Sequence, residues 1–124
     1  MNRIRSLINS PIVAFWNEKA EIHILDLTKN YEKLNNNVHS HKRDKPKEIV
    51  LQSQCEGFAL NWNPNKIGQL ATGNCLGQIE LFENDETFTS WKKVAQYNSH
   101  QGSVEDIVFS PNQAHIFASC TFLP

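Results

Sequence analysis

The sequence predicts an all-β fold, and three observations carry that prediction. Short runs rich in β-branched and aromatic residues recur along the 124 residues. Clusters of Asn, Gly, Pro and acidic residues punctuate them at close spacing. No stretch holds the 3.6-residue period of an amphipathic helix.

The elements follow in order. Residues 11–16 (Pro-Ile-Val-Ala-Phe-Trp) and 21–27 (Glu-Ile-His-Ile-Leu-Asp-Leu) read as strands with Asn-Glu-Lys-Ala as the turn between them. Residues 28–47 are polar, Asn-rich and then basic, so they read as an exposed insertion loop. A short strand follows at 48–52. Further strands are expected at 58–62, 69–72, 78–82, 91–97, 104–109 and 115–120. In the first of these, alternation places Phe58, Leu60 and Trp62 on one face.

Composition narrows the functions available. The net charge is −1, with 40% hydrophobic and 20% charged residues, so no global field calls for nucleic acid or an anionic membrane. No apolar run approaches the ~20 residues that a membrane span needs. Cys55, Cys75 and Cys120 are odd in number and lack CxxC spacing, so reduced thiols in a cytosolic or nuclear setting are expected. No GxSxG, HExxH or phosphate-cradling Gly-rich loop occurs, and a Cys55 or Cys75 pair with His100 would need a third orienting group and an oxyanion site. His39 and His41 offer two nitrogens where structural zinc takes four ligands. A role without catalysis, cofactor, metal or small-molecule substrate is expected.

The sequence also repeats. Leu60-Asn-Trp62-Asn-Pro64 matches Ile107-Val-Phe109-Ser-Pro111 at an offset of 47, and the same offset sets Leu70-Ala-Thr72 on Phe117-Ala-Ser119. An offset of 57 sets Val13-Ala14 on Leu70-Ala71, and Ile22 to Asp26 on Ile79 to Glu83. A period near 47 is slightly longer than the ~40–45 residues of a WD-repeat propeller blade.

Those elements resemble a WD repeat in order. His100 stands where the Gly-His of such repeats lies. Val104 to Pro111 resembles the innermost strand and its Ser-Pro turn. Leu25-Asp26 and Phe82-Glu83 stand at the Trp-Asp position. The resemblance implies a partial β-propeller of two to three blades. These would be a partial blade at 1–52 with the insertion at 28–47, a complete blade at 53–97, and the start of another at 98–124. It assigns blade-structural roles to Thr72, His100 and Ser119, and core roles to Trp62, Phe82 and Phe109. Of the His, Ser/Thr, Asp and Trp that usually bond within a blade, the middle unit has Ser53, Thr72, Leu76 and Phe82, and only Thr72 matches. Apolar packing is therefore expected to hold these blades.

A narrower resemblance rests on Ser103-Val-Glu105-Asp106 to Pro111, Phe117 to Cys120, Glu56-Gly-Phe58 to Pro64, Asn2-Arg-Ile-Arg5 and Trp16 to Lys19. They are similar to the glutamate-rich WD-repeat proteins, related to the retinoblastoma-binding histone chaperones, although the acidic tract that names the family is absent. The resemblance implies a nucleolar scaffold in large-subunit ribosome assembly that escorts a ribosomal protein, or a histone-binding propeller of chromatin assembly. It also implies that further blades complete the ring beyond this chain.

Candidate contacts for a basic client are Glu105 and Asp106 at the entry to an inner strand, with Glu56 and Phe58 on the preceding unit. Phe58 reads as either core or contact. The run His41-Lys-Arg-Asp-Lys-Pro-Lys47 reads as a solvated loop, a nuclear-import signal or an RNA-contacting patch.

Overall fold

The computed structural model describes residues 2–35 and 45–122. They form three antiparallel sheets. The first contains β1 (Arg3–Ser6), β2 (Ile12–Trp16), β3 (Glu21–Asp26) and β4 (Lys47–Gln52) in that order. Helix α1 (Thr28–Asn35) interrupts it between β3 and β4. The second contains β5 (Gly57–Trp62), β6 (Leu70–Asn74), β7 (Ile79–Asn84) and β8 (Trp91–Tyr97). The third pairs β9 (Val104–Phe109) with β10 (Phe117–Thr121). Strands follow one another as neighbours within each sheet, the meander of a propeller blade.

The sheets stack face to face. Ile12, Ala14, Trp16, Ile22, Ile24 and Leu51 of the first meet Leu60, Trp62, Leu70, Phe82 and Trp91 of the second in one apolar layer. Ala59, Ala71, Ile79 and Leu81 on the opposite face of the second meet Val104, Ile107 and Phe109 of the third. Aromatic edges close both layers, with Trp62 against Trp91 at 6.2 Å and Phe109 against Phe117 at 5.7 Å between ring centroids. The expected all-β partial propeller of two to three blades is what forms.

The inner strands β1, β5 and β9 lie side by side and are tied across sheets. Trp16 donates from its indole nitrogen to the Ala59 carbonyl at 2.9 Å, and Trp62 donates likewise to the Arg5 carbonyl at 3.1 Å. Each tie satisfies a buried polar group inside an apolar layer.

Three departures from the sequence reading have physical causes. The segment 28–47 is not wholly a loop. Asp26 accepts the backbone N–H of Thr28 at 2.9 Å and its hydroxyl at 2.5 Å, and this cap starts α1. The hydroxyl bond is also the main cause holding the Asp26 carboxyl below its ordinary range. The helix buries nothing, which is why apolar periodicity did not reveal it. Secondly, β1 is a strand of mostly exposed residues and so lacks a hydrophobic pattern. Thirdly, Phe58 leaves the face it was expected to share with Leu60 and Trp62. The β5–β6 register shifts between Gly57 and Ala59, and this bulge turns Phe58 outward.

Candidate partner-binding rim

Antiparallel connectivity sends one set of turns to the same end of the stack. These are the start of β1, the β2–β3 turn, the β4–β5 connection, the β6–β7 turn and the β8–β9 connection. At this end the inner strands carry the candidate contacts.

Two bulges recur there. In β5 the bulge falls at Phe58, which is 41% exposed. In β9 Asp106 pairs with Cys120 while Val104 pairs with Thr121, so Glu105 is left over and points to solvent. Phe58 and Glu105 stand at equivalent positions of the 47-residue offset. An extra residue in a strand re-aims one side chain out of the alternation, and here it presents an aromatic ring and a carboxylate on one open end. Glu56, one step before β5, is exposed at the same end. The equal offset was legible in the sequence; the bulges were not.

Asp106 is not a free acceptor. Arg3 of β1 reaches across to it at 2.7 Å, with their side chains 26% and 50% exposed. Asp106 also accepts the Ile107 backbone N–H at 3.0 Å. The expectation of two adjacent free carboxylates therefore narrows to Glu105. Asp106 instead joins the first sheet to the third. Asn2 adds a bond from its side-chain nitrogen to the Gly57 carbonyl at 3.0 Å.

The residues assigned to blade structure serve packing and ties between segments. Thr72 is buried on β6 with its hydroxyl 3.5 Å from the Glu80 carbonyl. His100 meets the Ser119 hydroxyl at 2.8 Å and so ties the β8–β9 connection to β10. Trp62, Phe82 and Phe109 are buried in the two apolar layers.

A polar network that the sequence reading missed replaces the usual blade bonds. The Glu80 carboxylate is buried on β7 and accepts the Ser53 hydroxyl at 2.8 Å. Lys93 lies 3.5 Å from its other oxygen. Asn74 donates to Ser53 at 3.1 Å and caps the β6–β7 turn by accepting the N–H groups of Leu76 and Gln78. The first sheet repeats this device 57 residues earlier. Asn17 accepts the N–H groups of Lys19 and Glu21, and its amide nitrogen meets Glu21 and His23. His23 stands where Glu80 stands, with one ring nitrogen on Glu48 and the other 2.9 Å from Glu21. Burial works to lower the His23 pKa, yet the hydrogen bonds and charges of Glu48 and Glu21 outweigh it and raise it. This network accompanies the two apolar layers that stack the sheets.

The cysteines are also corrected. Cys55 and Cys75 form a disulfide with Cα atoms 6.1 Å apart, while Cys120 is free and exposed. The β-ladder places residue 55 beside residue 75, a proximity that spacing alone does not reveal. No group of three or more metal-ligating side chains gathers among the described residues. His39, His41 and residues 42–44 of the basic run lie outside the described residues. Lys45 and Pro46 lead into β4, and Lys47 is its first residue. No helix among the described residues is long and apolar enough to cross a membrane.

No protein-family model matches the chain. It is similar to glutamate-rich WD repeat-containing protein 1 of Dictyostelium discoideum, 36% identical over 98% of this chain and 25% of that protein. It is also similar to ribosome assembly protein rrb1 of Schizosaccharomyces pombe, 29% identical over 97% of this chain and 26% of that protein. Histone acetyltransferase type B subunit 2 of the same yeast is 35% identical over 60% of this chain and 19% of that protein. The chain spans about a quarter of the length of the first two relatives.

Proposed function

We propose, from the premise that this chain belongs among the WD-repeat propeller proteins, that it is part of a non-catalytic scaffold for large-subunit ribosome assembly. Its client is a basic ribosomal protein, and it works in the nucleus, at the nucleolus. The observation that carries this reading is the pair of equivalent bulges, which present Phe58 and Glu105 beside exposed Glu56. An aromatic ring with flanking carboxylates suits arginine and lysine side chains through cation–π and charge-assisted contacts. The relative named for ribosome assembly supports the ribosomal client over other basic proteins.

A second reading is a histone client, favoured by the 35% identity to the acetyltransferase subunit across 81 residues. Capture of purified large-subunit ribosomal proteins and of core histones, each offered to wild type and to the Glu56→Lys/Glu105→Lys variant, separates the two. The ribosomal reading expects a ribosomal protein to be held by wild type and released by charge reversal. Retention of histones alone would replace it with the second reading. Retention unchanged by charge reversal would remove this rim as the contact surface.

A further inference from the structure

The Cys55–Cys75 bridge sits on the rim just described. Cys55 lies in the β4–β5 connection, adjacent to Glu56, and Cys75 lies in the β6–β7 turn. A Cα separation of 6.1 Å falls within the range that a disulfide spans without backbone movement. Both residues are half-buried rather than enclosed. Sulfur is not all that holds the two segments together. The Cys75 N–H donates to the Glu56 carbonyl at 2.9 Å, Asn74 donates to the Ser53 hydroxyl at 3.1 Å, and Gln78 donates to the Gln54 side chain at 3.0 Å. Two reduced thiols would therefore stay within bonding reach of each other. Neither lies in the apolar layers that stack the sheets, so the blade does not depend on the bond for its core.

We propose that Cys55 and Cys75 are a reversible thiol–disulfide couple that exchanges with a low-molecular-weight disulfide of the glutathione type. One cysteine thiolate attacks a sulfur of the oxidised small disulfide, which forms a mixed disulfide and releases one small thiolate. The second cysteine thiolate attacks the protein sulfur of that mixed disulfide, which closes the Cys55–Cys75 bond and releases the second small thiolate. The protein dithiol loses two electrons and two protons, and the small disulfide gains them as two thiols. The bridged form tethers residues 54–56 to the β6–β7 turn and so fixes Glu56 in place. The reduced form leaves that connection on hydrogen bonds alone. Cys120, exposed on β10, stands outside the couple.

The test equilibrates the purified chain, wild type and Cys120→Ser in parallel, across glutathione buffers from fully reduced to fully oxidised. Free thiols are then trapped with a maleimide and mapped by mass spectrometry. The couple predicts that Cys55 and Cys75 lose and regain alkylation together, with a 55–75 linked peptide on the oxidised side. Cys55 and Cys75 each carrying separate glutathione, with no linked peptide, would overturn it. So would a linked peptide that persists undiminished in fully reduced glutathione, because that bond would be permanent. Cleavage after Glu56 by a glutamate-specific protease reads the tether and is expected to quicken several-fold on reduction. Equal cleavage of both forms would overturn the tether.

Discussion

The second sheet is covered on both faces and the first on only one, and their burial patterns differ accordingly. Every residue of β6 is buried, and so are the first four of β7. The corresponding strands of the first sheet alternate, with β2 reading buried, half-buried, buried, half-buried, buried. The two blades share equivalent turns, so sequence chemistry alone does not separate them. What separates them is a neighbour. A sheet between two others reads as a continuous apolar run, whereas a sheet with one free face keeps the period of two. Phe15, His23, Val50 and Leu25 occupy that free face of the first sheet, where the second sheet has Thr72, Glu80 and Phe82 enclosed.

Adjacent residues break this comparison most sharply. Trp16 is fully buried between the sheets and donates to the Ala59 carbonyl, so Trp16→Ala is expected to cost about 3–5 kcal/mol. Phe15, next in sequence, stacks on His23 at 4.9 Å on the uncovered face. Phe15→Ala is expected to cost about 1 kcal/mol. Denaturant melts of the two variants check the contrast, and equal costs would mean that the faces are equally covered.

The turns give the next contrast. Gly77 and Ala20 occupy the same left-handed position 57 residues apart, with φ of 81° and 63°. A Cβ on residue 77 would sit 2.2 Å from the His100 carbonyl oxygen. Gly77→Ala is therefore expected to cost about 2 kcal/mol or more, while Ala20→Gly relieves strain and gains about 1 kcal/mol. Thermal melts should show opposite signs.

Ser53→Ala leaves the buried Glu80 carboxylate short of one donor and is expected to cost about 1–3 kcal/mol. The first sheet has His23 at that position, and its effect is pH-dependent. The folded pKa of His23 is raised, so its contribution is fully present below the unfolded value of about 6.5 and is lost as pH rises through the folded value. Comparing wild type with His23→Gln by denaturant melts at pH 6 and pH 8 should show a difference that shrinks at the higher pH. The change expected is a few tenths of a kcal/mol to about 1 kcal/mol, because Glu48 is half-exposed.

Most of this fold was legible in the sequence because apolar strands carry their pattern with them. The offsets of 47 and 57 marked the repeat, and Trp62, Phe82 and Phe109 lie buried as expected. What stayed hidden depends on pairing across the ladder. The bulge at Phe58 needs a register, the Cys55–Cys75 bond needs two turns brought to one rim, and the Arg3–Asp106 contact spans three sheets. Asn17 and Asn74 were visible as turn residues, but their bonds to His23 and Ser53 appear only once the strands are set side by side.

Native-state hydrogen exchange of the whole chain tests the stacking of sheets most directly, because amide protection follows burial on both faces. The slowest amides are predicted in β6 and β7, with β2 and β3 faster and β10 faster still. Protection in β2 and β3 that equals or exceeds that of β6 and β7 would contradict a central sheet enclosed by two neighbours.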